Sequence, residues 1–150
     1  MSYSQLLYHI IFRTKNSKKA INQVNERLMY HYIYTQSENM GCTIYRIGGM
    51  EEHIHILVSI PPSICIADYV KQIKVSSSKR FCHSKEFPEF GSWATGYAAL
   101  TYTYRDKDII IRYIMSQKDH HKVFSFRDEY LKLLEESGIK VDQKYFLQEE

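Results

Sequence analysis

The sequence predicts an α+β fold, a ferredoxin-like split β-α-β arrangement in which an antiparallel sheet carries two helices on one face and leaves the other free. Three observations predict it. Four short runs rich in β-branched and aromatic residues stand at 8–12, 43–47, 51–59 and 97–102. Stretches of helical period separate the first run from the second and the third from the fourth. Two more helical stretches follow the last run, so the order is β-α-β-β-α-β and then two helices.

Each element has its own warrant. The first strand, Tyr8 to Phe12, runs into a basic turn from Arg13 through Lys15 to Lys19, which is either a solvated loop or a contact to a phosphate backbone. From about Asn22 to Met40, Val24, Leu28 and Tyr32 recur at i, i+4 as an apolar line, and Gly41 is placed to end that helix. Gly48-Gly49 turns the second strand into the third as a hairpin. Pro61-Pro62 stops the third strand, and Ser63 can cap a helix running to about Arg80. Ile66, Val70 and Ile73 form its apolar line; Lys71, Lys74 and Ser78 lie on another face, solvated or turned to nucleic acid. The stretch 81–96 holds Pro88 and Gly91, has no period, and is expected as a loop. Thr103 with Asp106 three residues on resembles a capping box opening a helix to about His121. A last helix starts near Ser125, with Asp128 at the third position, and packs through Tyr130, Leu133 and Leu134 before Gly138.

At 150 residues, with 44% apolar and 25% charged side chains, residues 1–150 are expected to form one globular domain. No apolar run approaches the ~20 residues that span a bilayer, and the first residues lack a signal-peptide pattern. Cys42, Cys65 and Cys82 are odd in number and widely spaced, which argues against a disulfide framework and for a reducing, cytoplasmic setting. A net charge of +3 does not establish nucleic-acid binding by itself. The 13 tyrosines suit base stacking, an aromatic core or a dimer interface. No phosphate-binding loop pattern is present, so no nucleotide cofactor is expected.

The third strand carries the first chemical signal. His53 and His55 share one face and can present two ring nitrogens to a divalent ion, while Ile54, Ile56 and Val58 face a core. On a regular strand Glu51 would join the histidine face and Glu52 would point away. Tyr113 and Gln117, four apart, share one helix face, and the glutamine oxygen can complete a His, His, O set. A second Tyr-x-x-x-Gln pair stands at Tyr32 and Gln36, so the spacing alone does not choose between them.

His53-Ile54-His55, Trp93-Ala94-Thr95-Gly96-Tyr97 and Tyr113-Ile114-Met115-Ser116-Gln117 with His120-His121 occur in an ordered set. With the opening Tyr8-His9-Ile10-Ile11-Phe12-Arg13-Thr14-Lys15 and the closing Phe126-Arg127-Asp128-Glu129, this set resembles the single-tyrosine HUH transposases. Those are the small transposases of insertion sequences that move as single-stranded DNA, with their relatives associated with repetitive extragenic palindromes. Two positions depart from the pattern: Ala94 stands where Gln often follows the Trp, and Glu52 where Asp is common. The resemblance implies Tyr113 as nucleophile forming a 5′-phosphotyrosine link, and His53, His55 and Gln117 as ligands of Mg²⁺ or Mn²⁺. It also implies a homodimer acting on single-stranded DNA hairpins at element ends, with Arg13, Lys15, Lys71, Lys74, Lys79 and Arg80 expected to contact DNA. A rival is a non-catalytic single-stranded nucleic-acid binding module on the same sheet; its RNA-recognition aromatic signature is not visible on the first or third strand. A domesticated transposase acting on host palindromes is a further reading.

Overall fold

Alternation along two central strands divides the protein into two unlike layers. The computed structural model describes residues 1–142 and 146–147. Its strands are β1 (Leu7–Arg13), β2 (Thr43–Gly49), β3 (His53–Ser59) and β4 (Ala98–Tyr102), in the order β2-β3-β1-β4 with every neighbouring pair antiparallel. The helices are α1 (Glu26–Asn39), α2 (Ile66–Phe81), α3 (Lys107–Met115), α4 (Gln117–His120) and α5 (Phe126–Glu136), with short 3-10 turns at Lys15–Ser17 and Tyr104–Asp106. This is the expected ferredoxin-like order followed by further helices.

Strand side chains alternate faces. Ile10 and Phe12 of β1 and Ile54, Ile56 and Val58 of β3 therefore point to one side. There they pack with Met29 and Ile33 of α1 and with Tyr69, Val70, Ile73 and Phe81 of α2 in the main core. The opposite face is not free: α3, α4 and α5 of the same chain cover it. Leu7 and Leu57 meet Ile110 and Ile114 of α3 in one apolar patch, and Ile11 and Ala98 meet Phe126 and Leu134 of α5 in another. Between these patches runs a polar seam formed by His9, His53 and His55, all wholly buried.

Trp93 fastens the irregular stretch after α2. Its indole N–H donates to Ser77 Oγ at 2.8 Å, its ring meets Phe12 and Phe90 edge-on, and its backbone bridges Thr14.

Several local expectations need correction. Helix α1 buries Met29, Ile33 and Ser37, whereas Val24 and Leu28 are exposed, because the helix begins only at Glu26 and its inward face is one residue out of phase. Tyr32 does pack against the core, with its hydroxyl donating to the Ser76 carbonyl. The cap of α2 is Cys65, whose Sγ accepts from the Asp68 N–H, rather than Ser63. Thr103 does not cap: its hydroxyl bonds the Asp106 carboxylate instead of a backbone N–H, and the predicted single helix breaks at Ser116 into α3 and α4. Ser125 caps α5 as expected, accepting from Asp128 N–H. Gly48 and Gly49 are not the turn but part of β2, paired with His55 and Ile54. A Cβ on Gly48 would stand 2.9 Å from Ile114 Cγ2, so the missing side chain is what lets α3 lie close on the sheet.

Candidate metal and tyrosine site

The site is assembled from β3, the end of α3, α4 and α5. His53 and His55 both project into the covered face, and each has its two ring nitrogens separately engaged. His53 Nδ1 meets the Glu52 carboxylate at 2.6 Å, while its Nε2 lies 3.0 Å from Gln117 Oε1 and 3.4 Å from Glu129 Oε1. His55 Nδ1 meets His9 Nε2 at 2.7 Å, and its Nε2 lies 3.3 Å from Glu129 Oε1. Both Nε2 atoms thus converge on the same carboxylate oxygen.

Glu129 is the centre that sequence reasoning missed. It is 3% exposed, and among the described residues every ion-pair partner it has is a histidine. Its Oε1 also accepts from His121 Nε2 at 3.0 Å; its Oε2 accepts from Gln117 Nε2 at 2.7 Å and, in a very short hydrogen bond, from the Tyr113 hydroxyl. Burial alone would raise its pKa, but hydrogen bonds with His121, His53 and His55 hold it well below the usual carboxylate range. Glu129 is therefore a buried anion, which is costly without a compensating cation.

The histidines divide accordingly. Burial would lower His53, but Glu129 and Glu52 prevail and raise it. Burial dominates at His55 and lowers it to about 4, and burial with the neighbouring His55 lowers His9 well below the ordinary value. Burial and the hydrogen bond to Glu129 push the Tyr113 hydroxyl above the ordinary tyrosine range.

The donor set fits a divalent cation. His53, His55 and Glu129 offer ligand atoms that all lie within 4.8 Å of one another. Glu52 occupies the far nitrogen of His53, as is usual for a metal-ligating histidine. Two imidazoles with oxygen donors suit a borderline or hard ion such as Mn²⁺ or Mg²⁺.

The predicted residues fall into two groups. Tyr113 and Gln117 do meet His53 and His55, in the same chain, and Ser116 supplies the break that lets Gln117 turn inward to 1% exposure. Glu52 faces His53 rather than away, because β3 begins only at His53 and the residue before it lies in a bend. Glu51 contributes instead through its carbonyl, which accepts from Ala20 and Ile21. Tyr32 lies on the other side of the sheet, in the main core. Of the basic residues, Lys15, Lys71, Lys79 and Arg80 are exposed. Arg13 is 7% exposed and donates to Ser17 Oγ. Lys74 is half-buried: its ammonium donates to the Ala94 and Gly96 carbonyls at 2.9 and 2.6 Å, and burial lowers its pKa to about 8.

Known proteins resemble this chain in sequence and fold. Residues 2–117 match the family described as "Transposase IS200 like". The ISDra2 transposase TnpA of Deinococcus radiodurans is 30% identical over 121 residues, spanning 77% of this chain and 86% of that protein. A crystal structure of a candidate transposase from Deinococcus radiodurans R1 superposes with a TM-score of 0.60 at 21% identity, covering 77% of this chain and 93% of that one. A REP-associated tyrosine transposase bound to a REP hairpin also gives 0.60, at 14% identity over 81% of this chain and 72% of that one. The family match contains His53, His55, Tyr113 and Gln117, whereas Glu129 lies beyond its last residue. On that match, together with the curated relative, the chain belongs to the IS200-like transposase family, of the single-tyrosine type.

Proposed function

We propose that this transposase cleaves and rejoins single-stranded DNA at hairpin-marked ends, with Tyr113 as the nucleophile. The observation that carries the reading is convergence: the Tyr113 hydroxyl and the Nε2 atoms of both strand histidines meet on one buried carboxylate, Glu129. The phenolic oxygen attacks the scissile phosphorus, the bond to the 3′ oxygen breaks, and a 5′-phosphotyrosine and a free 3′-OH result. That link stores the phosphodiester energy, so rejoining is its reversal by another 3′-OH and needs no nucleotide.

His53, His55 and Glu129 would hold Mg²⁺ or Mn²⁺, with Gln117 Oε1 close by as the alternative oxygen donor. Bound there, the cation would polarise the scissile phosphate. The two oxygens of Glu129 have separate tasks: Oε1 faces His53, His55 and His121, and Oε2 receives the hydrogen bond of Tyr113. Oε2 is thereby the nearest acceptor for the proton that Tyr113 loses. In the free protein both partners resist that transfer, since Tyr113 is raised and Glu129 lowered. The free protein therefore holds the nucleophile protonated.

Helix α2 packs on the sheet face opposite the histidines. Its exposed Lys71, Lys79 and Arg80 therefore serve the hairpin arm rather than the scissile phosphate, adding salt-dependent affinity. The hairpin in the structure of the REP-associated relative supports this class of substrate. A homodimer in which each subunit contributes one tyrosine suits the joining of two ends.

The test is incubation with single-stranded hairpin DNA and Mn²⁺, followed by a denaturing gel and mass spectrometry of the linked peptide. Wild type and Tyr32→Phe are expected to form the adduct at Tyr113, and Tyr113→Phe to fold, bind the hairpin and form none. A link at Tyr32, or an undiminished adduct in Tyr113→Phe, overturns the assignment.

A further inference from the structure

His9 takes no part in the chemistry above, yet its placement is hard to explain as packing. It lies in β1 opposite Leu57 and is wholly buried, two residues from Ile11, the register partner of His55. Diagonal neighbours on adjacent strands are within reach of ring side chains. Its Nε2 sits 2.7 Å from His55 Nδ1, and the two rings stack with centroids 5.0 Å apart. The rings of Tyr102 and Tyr113 flank it at 6.2 and 6.1 Å. Among the described residues, His9 Nδ1 is the buried side-chain nitrogen that finds no hydrogen-bond partner. Leaving such a group unpaired is costly, and a phenylalanine in the same aromatic setting would avoid that cost.

We infer that His9 is a positioning residue for the cation site: it accepts a hydrogen bond from His55 Nδ1–H and so frees the lone pair of His55 Nε2 for the cation. The inference rests on the metal reading proposed above. A neutral imidazole carries one N–H, so the 2.7 Å contact allows two proton placements. In one, His9 Nε2–H donates, the His55 proton lies on Nε2 and points at Glu129 Oε1, and His55 offers the cation nothing. In the other, His55 Nδ1–H donates, Nε2 is free, and the His9 proton lies on the unpartnered Nδ1. Only the second is competent, and it is the one for which His9 needs a basic Nε2.

The other ligand differs in a telling way. His53 Nδ1 faces the Glu52 carboxylate, which when ionised can only accept and therefore fixes the tautomer outright. His9 can either accept or donate, so its pairing with His55 is switchable, and the cation selects the competent arrangement. His53 is preset and His55 is set on binding.

Calorimetric titration with Mn²⁺ alone, without DNA, tests this. His9→Phe removes the acceptor and is expected to weaken Mn²⁺ binding by about 10–100-fold, the usual cost of losing such an outer partner. His9→Gln restores an acceptor near the Nε2 position and is expected to recover binding to within a few-fold. Hairpin affinity measured in EDTA should match wild type in both variants, which a merely structural role would not combine with a selective metal defect. Nitrogen NMR of ¹⁵N-histidine-labelled wild type should show the His55 proton on Nδ1 when Mg²⁺ is bound. That readout stands even where His9→Phe fails to fold. Wild-type Mn²⁺ affinity in folded His9→Phe, or a His55 proton on Nε2 in the Mg²⁺-loaded protein, overturns the role of His9 and leaves the metal reading standing. Wild type that binds no Mn²⁺ overturns both.

Discussion

Acidification should expel the cation with the loss of one proton's worth of affinity per pH unit, not two, and the competing proton belongs to His53. The cation needs a free Nε2 lone pair on both strand histidines. Glu129 and Glu52 outweigh burial and raise His53 above 6.5, whereas burial lowers His55 to about 4. Between those values His55 is already neutral and His53 is not, while Glu129, held well below its usual range, stays ionised throughout. Apparent Mn²⁺ affinity should then fall about tenfold, or ~1.4 kcal/mol, per pH unit, hence about thirtyfold between pH 6.5 and 5. Titration calorimetry at pH 6 in two buffers of different ionisation heat should report release of close to one proton. Release near two would mean that His55 titrates with His53, and release near zero that His53 is not a ligand. The metal-free protein has the opposite dependence at first. A histidine raised in the folded state stabilises below its unfolded value and loses that contribution as pH rises through the folded one. The free protein should therefore gain stability from pH 8 towards 6.5. Below 6.5 His55 and His9, both lowered, are protonated in the unfolded chain first and take stability back.

Other perturbations separate the roles of neighbouring groups. Glu129→Gln keeps the shape but removes the charge that the histidines and Tyr113 share, and should weaken Mn²⁺ binding by more than tenfold and abolish the adduct, while leaving hairpin binding in EDTA intact. Equal Mn²⁺ affinity in that variant would return the third ligand to Gln117 alone. Lys71→Ala should flatten the log–log salt dependence of hairpin binding by about 0.9, one phosphate contact on the paired hairpin arm. Lys74→Ala should instead cost about 1–2 kcal/mol of stability in denaturant unfolding, because its ammonium is spent on the Ala94 and Gly96 carbonyls. Gly48→Ala forces a methyl against Ile114, should destabilise by about 1–3 kcal/mol, and should slow adduct formation by displacing the helix that carries Tyr113.

The strands were legible because their period is short and their inward residues are unambiguous. Ile54, Ile56 and Val58 could only face a core, which forced His53 and His55 to the other side. Helix α1 shows where that logic stops. Val24, Leu28 and Tyr32 make an apolar line at helical spacing, but so do Met29 and Ile33, and the second line continues into Ser37. A serine broke the pattern that actually faces inward. It is buried because its hydroxyl pairs with the Tyr69 hydroxyl at 2.7 Å, a partner on another helix that no local reading supplies. The cover over the second face was legible only in part: the helix after β4 could fold back across the histidine face, but an amphipathic α5 announces an apolar partner, not which sheet face provides it.

The same asymmetry governs the site. Tyr113 and Gln117 could be paired from spacing, and His53 with His55 from alternation, since each pair lies within one segment. Glu129 belongs to neither segment, and a glutamate in a charged helix is ordinarily solvated. Its signal was positional. Phe126 and Leu134 are the apolar residues that α5 buries, and position 129 falls three residues after the first, on the inward arc of the helix rather than opposite it. A carboxylate there must be neutralised, hydrogen-bonded or joined to a cation, because a buried unpaired charge would cost more than the helix gains by docking. Along β1, Leu7, Ile11 and Arg13 share their face with His9, so an imidazole between two aliphatic residues poses the same question on the sheet. Two polar groups placed where apolar ones would pack better, on elements far apart in the chain, are the mark of a centre that only their meeting explains. Here they meet through His55, which touches His9 with one nitrogen and Glu129 with the other.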